Sequence, residues 1–294
     1  MFKNAIEQVG QFTRAVHFIS NVYGETTVRP GAATIFFVND DCVAITCKHV
    51  TALIRQSAQL TQQYQRFLSE KAELQKSGSY TRKLKELKSK YNYDKADSAC
   101  QVLYQFVDCA DFQTIDIIEH PTSDLAIIKM KGYTTRRYTG HAVFAKDSKE
   151  LQPGLFLCRL GFPFPEFTNF QYNNDTGIIF FTQEPSRMVR FPIEGMVTRH
   201  FGDKEGNIHG VEMSTPGLKG QSGGPLFDSG GRVYGMQSQT NHLHLGFDMN
   251  QQEIYSEGKR IKITNQPLLH VGHCVHEDVI KKFLQENNVT FFEE

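Results

Sequence analysis

Three widely separated side chains in this sequence could together perform acyl transfer: His49, Asp124 and Ser222. The serine lies in Gly220-Gln221-Ser222-Gly223-Gly224-Pro225-Leu226. Glycines on both sides allow a tight, irregular turn that presents the hydroxyl and turns backbone N–H groups inward. A serine hydroxyl is a weak nucleophile until a base accepts its proton. His49, in Ile45-Thr-Cys-Lys-His49-Val50, could be that base. Asp124 opens the apolar run Asp124-Leu-Ala-Ile-Ile-Lys129 and could fix the imidazole tautomer and stabilise the imidazolium. Taken singly, each residue has a plainer reading. A histidine at a strand end is more often structural, Asp116 is a rival acid, and His120 fits a loop. The serine string also fits the strand–turn–helix elbow of α/β-hydrolases, but Gly-Gly-Pro-Leu-Phe-Asp-Ser-Gly-Gly is poor helix material.

The elements that must position these groups are mostly strands. Thr34-Ile-Phe-Phe-Val38 and Val43-Ala-Ile-Thr46 flank a polar Asn-Asp-Asp turn, a hairpin pattern. After Lys95, short β-rich runs follow at Gln101–Val107, Leu125–Lys129, Leu155–Leu160, Gly177–Thr182, Met188–Phe191, Val211–Ser214, Arg232–Gln237 and Ile261–Ile263. Turn signals separate them, such as Pro153-Gly154 and Ser229-Gly230-Gly231. Residues 1–12 could form a short helix, and Val279, Ile280, Phe283 and Leu284 form the stripe of a C-terminal one. Between Thr51 and Tyr91 the texture is helical, with Leu53, Leu60, Phe67 and Leu74 seven apart and a break at Gly78. A helical hairpin over about 51–92 is expected.

The whole chain has 294 residues and zero formal charge, which gives no global argument for nucleic acid or a membrane surface. The stretch from Thr51 to Lys95 carries ten basic and four acidic residues. It reads as a solvated face or a docking surface for a regulatory protein. Nucleic acid is not expected there without interleaved aromatics. No apolar run reaches ~18 residues, so no membrane span is expected. The opening lacks the apolar core of an export signal, and none of the six cysteines forms a C-x-x-C pair. A cytoplasmic chain with free thiols is expected. His270-Val-Gly-His273-Cys274-Val-His276 suggests metal chemistry, but alternate strand residues point opposite ways, and no metal or cofactor is assigned.

The G-x-S-G-G-P string, the histidine segment and the aspartate segment, in the order His, Asp, Ser, resemble the chymotrypsin-like serine peptidases. The resemblance covers about residues 30–50 and 96–284 and leans toward small bacterial trypsin-like and HtrA-type domains, with no PDZ domain following. It implies an all-β fold, a chymotrypsin-like double antiparallel β-barrel. The first six-stranded barrel would span 1–148 and hold the helical insertion; the second would span 149–294 and end in a helix. The implied activity is that of a serine endopeptidase acting on protein or peptide through an acyl-enzyme, with an oxyanion hole from the N–H groups of Gly220 and Ser222. The gap from His49 to Asp124 is about 30 residues longer than the archetype's, which the hairpin accounts for. Gln221 replaces the aspartate that pairs with a released N-terminus in digestive trypsins, so that route of activation is not expected. By the same resemblance Pro216, Ser238, Gln239 and Thr240 line the substrate cleft, and a small to medium apolar P1 residue is expected. The alternatives are a catalytically silent binding module and a latent protease gated by a partner on the hairpin.

Overall fold

The computed structural model describes all residues except 75–78, 96–97, 203, 247–251, 257–258 and 264–267; only backbone is described for 252–256 and 259–263. A short helix α1 (Lys3–Val9) leads into the first sheet: β1 (Thr13–Val22), β2 (Val28–Phe37), β3 (Val43–Thr46), β4 (Ala99–Phe106), β5 (Thr114–Glu119) and β6 (Ala126–Lys131). Its order is β4-β1-β2-β3-β6-β5, antiparallel throughout. The β2–β3 turn is set by Asn39, whose Oδ1 accepts the N–H of Asp41 at 3.0 Å and of Val43 at 3.4 Å.

Hydrogen bonding does not close this sheet: the edge strands β4 and β5 do not pair with each other. Helix α2 (Lys48–Leu74) packs against both edges instead. Ser57 Oγ donates to the Val102 carbonyl of β4 at 2.5 Å. On the other side Thr51 Oγ1 donates to Glu119 Oε1 of β5 at 2.8 Å, and Arg55 pairs with the same carboxylate at 3.2 Å. The chain then turns back in α3 (Tyr80–Lys90), giving the expected hairpin. The buried stripe differs from the seven-residue spacing. Val50, Ile54, Ser57, Tyr64 and Phe67 face inward while Leu53 is exposed, because α2 follows the helical 3.6-residue period against β4. Tyr64, Phe67, Leu87, Tyr91 and Tyr93 form the hairpin's own core with Cys100 and Tyr23.

The second half contributes β7 (Val143–Phe144), β8 (Phe156–Gly161), a separate hairpin β9 (Phe170–Asn173) and β10 (Ile178–Phe181), then β11 (Phe191–Gly202), β12 (Ile208–Met213), β13 (Pro225–Phe227), β14 (Val233–His244), β15 (Leu268–His276), helix α4 (Glu277–Glu286) and β16 (Phe292–Glu293). The strands β13-β8-β11-β12-β15-β14 run in that order, and β14 pairs back onto β13. This is a closed six-stranded barrel, filled by Leu157, Val197, Val211, Leu226 and Tyr234. Of the expected run Met188–Phe191, only Phe191 is in a strand. One apolar cluster bridges the two sheets, joining Phe36, Ile45 and Ile127 to Leu160, Phe227, Met236 and Ile280. All six cysteines are free and buried. Among the described residues no helix is long and apolar enough to cross a membrane.

Candidate active site

His49 is the second residue of α2, so the helix that covers the open sheet also carries the imidazole. Asp124 lies just before β6, at the end of a turn held by His120 and Lys48. His120 Nδ1 accepts the Ser123 N–H at 2.8 Å, and Lys48 Nζ donates to the His120 carbonyl at 3.0 Å. The turn delivers the Asp124 carboxylate to His49 twice: Oδ2 lies 2.8 Å from the ring Nδ1, and Oδ1 accepts the His49 backbone N–H at 3.0 Å. Ser238 Oγ donates to the same Oδ2 at 2.6 Å. Burial alone would raise the Asp124 pKa, but these donors outweigh it and hold the carboxyl well below the usual range. A carboxylate on Nδ1 fixes that nitrogen as the donor and leaves Nε2 as the acceptor.

Ser222 sits between Gly220 (φ +96°) and Gly223 (φ +87°), both in the left-handed region. A Cβ on Gly220 would run into the Phe162 carbonyl, and one on Gly223 into the Thr34 carbonyl and Thr46 Oγ1. The loop is anchored across the domain by Thr34 of β2. Its N–H donates to the Ser222 carbonyl at 2.9 Å, its hydroxyl donates to the Gly220 carbonyl at 2.7 Å, and that hydroxyl also accepts the Phe162 N–H at 3.3 Å. Gln221, fully buried, braces the loop from within: Oε1 accepts the Leu218 N–H and Nε2 donates to the Phe191 carbonyl, each at 3.0 Å. Among the described residues no acceptor meets the N–H of Gly220 or of Ser222. The Ser222 hydroxyl donates to the Ser238 carbonyl at 3.2 Å.

Ser238 lies at a register shift between Gln237 and Gln239 on β14, a bulge that turns its hydroxyl and carbonyl toward Asp124 and Ser222. Gln237 still pairs on the edge of β14 facing away from β15, its N–H donating to the Gly224 carbonyl and its carbonyl accepting the Gly223 N–H, each at 2.8 Å; beyond it no strand pairs with that edge among the described residues. Thr240 Oγ1 donates to the Gly217 carbonyl at 2.6 Å, bridging the strand to the segment before the serine. Behind that bridge the Gln237 side chain is buried against Gly217, with Nε2 on the Gln239 carbonyl at 2.8 Å. Its Oε1 accepts from Arg159, a fully buried guanidinium that also donates to the Thr215 carbonyl and hydroxyl. Pro216, next to Thr215, is partly exposed, and Gln239 is exposed with its amide 3.0 Å from His273 Nδ1.

The structure therefore brings His49, Asp124, Ser222 and Ser238 together and places Gln239 and Thr240 on the adjoining strand. Asp116 is on β5, 4.0 Å from Lys131, away from this group. The His270–His276 string scatters: His270 faces His242, His273 meets Gln239, and Cys274 is buried in the barrel. Thr34, the brace at Gln221 and the Arg159–Gln237 pair were missed by sequence reasoning. Only the threonine's place opening a β-rich run gave any signal, and that signal spoke of a strand.

A closed barrel beside a half-open sheet, with the His49–Asp124 pair linked through Ser238 to Ser222 in a glycine-bound loop, fits the class of trypsin-like peptidases. The trypsin-like peptidase domain family matches residues 33–236, most of the chain, and the chain belongs to that family. No curated protein matches the sequence. Among solved structures it is similar to the HtrA-type protease AlgWS227A with decapeptide, at 11% identity and a TM-score of 0.49, covering 98% of this chain and 68% of that one. It is also similar to the HtrA-type protease AlgW with tripeptide, at 12% identity and a TM-score of 0.47, covering 97% and 62%.

Proposed function

We propose that the chain is a serine endopeptidase in which Ser222 is the nucleophile, His49 the general base and acid, and Asp124 the group that orients the imidazole. The observation that carries this reading is the Asp124–His49 pair at 2.8 Å beside a serine loop whose Gly220 and Ser222 N–H groups have no acceptor. A peptide adds to the free edge of β14, and its P1 N–H takes the Ser238 carbonyl. The Ser222 hydroxyl leaves that carbonyl and turns to His49 Nε2. Ser222 Oγ attacks the scissile carbonyl as its proton passes to Nε2, and the oxyanion forms against the two N–H groups. Each such donor is worth on the order of 3 kcal/mol in the transition state. Collapse expels the amine, which takes the proton from His49, and water then hydrolyses the acyl-enzyme by the same relay. The Thr240–Gly217 bridge and the Gln237 amide make the P1 slot shallow, which suits a small side chain.

The test is labelling by a fluorophosphonate probe. Covalent adduct at Ser222 that disappears in Ser222→Ala and His49→Ala supports the reading, and a folded chain that never labels favours the silent binding module. The seat of the Ser222 hydroxyl on the Ser238 carbonyl favours a second reading, a latent enzyme released by a protein on the α2–α3 hairpin. Labelling that rises only with cell extract would distinguish it. Six free, buried thiols suit a reducing compartment such as the cytoplasm.

A further inference from the structure

Directly beside the proposed triad, Cys47 Sγ, a ring nitrogen of His49 and a carboxylate oxygen of Asp124 all lie within 4.8 Å of one another. Cys47 is fully buried, and its thiol donates to the Gln237 carbonyl at 3.2 Å. His49 and Asp124 are 50% and 31% exposed, so an ion can enter from the cleft and meet the sulfur beneath. Peptide hydrolysis as derived above gives Cys47 no task. We propose that Cys47, His49 and Asp124 form an inhibitory Zn²⁺ site; its inhibitory effect rests on the peptidase reading, whereas the binding itself does not.

The donor set selects the metal. One thiolate, one imidazole and one carboxylate suit a borderline-soft cation, whereas Mg²⁺ and Ca²⁺ call for oxygen donors. Tetrahedral Zn²⁺ with bonds of about 2.0–2.2 Å to N and O and 2.3 Å to S sets donors about 3.3–3.6 Å apart. The His49 Nδ1···Asp124 Oδ2 distance of 2.8 Å must open by roughly half an ångström to admit it. The fourth position faces the cleft and takes a water.

Binding exchanges protons in a way that blocks catalysis. The ion replaces the proton on Nδ1, and the neutral ring keeps its one proton by moving it to Nε2. Nε2 is then a donor and cannot accept the proton of Ser222. The Cys47 thiol releases its proton to solvent, so one proton leaves per ion bound. Zinc affinity therefore rises with pH, by up to about tenfold per unit.

The experiment uses the full chain, stripped of metal by a chelator and kept under a non-thiol reductant. Fluorophosphonate labelling is followed against added ZnCl₂, with MgCl₂ as control. Zinc is expected to slow labelling of the wild type about tenfold or more, reversibly with chelator, while magnesium does nothing. Cys47→Ala and Cys47→Ser are expected to label at the wild-type rate without zinc and to need at least roughly tenfold more zinc for the same inhibition. In parallel, Co²⁺ bound in place of zinc should give a thiolate-to-cobalt charge-transfer band in the wild type and in Ser222→Ala, lost in both Cys47 variants. Equal zinc inhibition in the Cys47 variants, or no such band in the wild type, overturns the site. A chain that shows the band but never labels keeps the metal site and loses the peptidase reading.

Discussion

Replacing Thr34 by valine removes one hydroxyl while keeping the shape of the side chain and every backbone bond of β2. That hydroxyl donates to the Gly220 carbonyl at 2.7 Å and accepts the Phe162 N–H at 3.3 Å. Gly220 and Phe162 are both buried, so water does not replace either partner. A buried polar group left unpaired costs about 1–3 kcal/mol, so leaving two unpaired costs roughly 2–6 kcal/mol. For a chain of this size that lowers Tm by about 3–10 °C. The same hydroxyl anchors the loop whose N–H groups stabilise the oxyanion, so fluorophosphonate labelling should slow by roughly 10–100-fold, part of the value of one such donor. Thr34→Ser keeps the hydroxyl and should retain most of both properties. Calorimetry and labelling kinetics on the three proteins read the effect. A Thr34→Val protein that melts and labels as the wild type does would refute the claim that β2 holds the serine loop.

Asp124→Asn should leave the fold intact and lower peptidase turnover on the order of 10⁴-fold, since the amide can hold His49 in the wrong tautomer; this is the magnitude known for the archetypal triad. Progress curves on a peptide substrate check it. Thr240→Gly removes the bridge to Gly217 and should shift preference toward longer P1 side chains by about 10-fold or more in relative kcat/KM, read from a peptide library. Glu277 of α4 is fully buried, with neither carboxylate oxygen in a hydrogen bond and Oε2 3.3 Å from His276 Nδ1, and burial pushes its pKa up to about 8. Because the folded value is raised, the native state binds the extra proton, so stability is full below about pH 4.5 and is lost as pH rises toward 8. Glu277→Gln, which cannot ionise, should therefore be more stable than the wild type at pH 9, by a few kcal/mol, and show little gain at pH 5, as followed by thermal melts.

The chemistry was more legible than its supports. Glycines around Ser222 and the apolar run behind Asp124 are local patterns, and their order along the chain carries information without any contact being known. Strand texture also survived, because β-branched and aromatic runs broken by Asn, Gly and Pro are written residue by residue. What could not be read is whatever depends on which strands meet. The opening between β4 and β5 leaves no trace in either strand. Leu53 kept the seven-residue pattern yet faces solvent, because β4 fixes the helix face through Ile54 and Ser57. Arg159 reads as a solvent-facing charge in Cys-Arg-Leu-Gly, and only the closed barrel, with Gln237 and Thr215 as acceptors, explains how a guanidinium sits wholly inside. Gln221 reads in the sequence only as a departure from an aspartate; its task as an internal brace depends on Leu218 and on Phe191, 30 residues away.

Because α2 shields two unpaired strand margins, the hairpin is not a detachable ornament on an otherwise finished peptidase. A shortened version would bare a row of amide and carbonyl groups on each flank, ready to recruit the same flanks of neighbouring molecules into mixed sheets. Graft or truncation experiments in this lineage should therefore keep the stretch from Lys48 through Ser57 and trim only the distal turns, or they will report on clumping rather than on control.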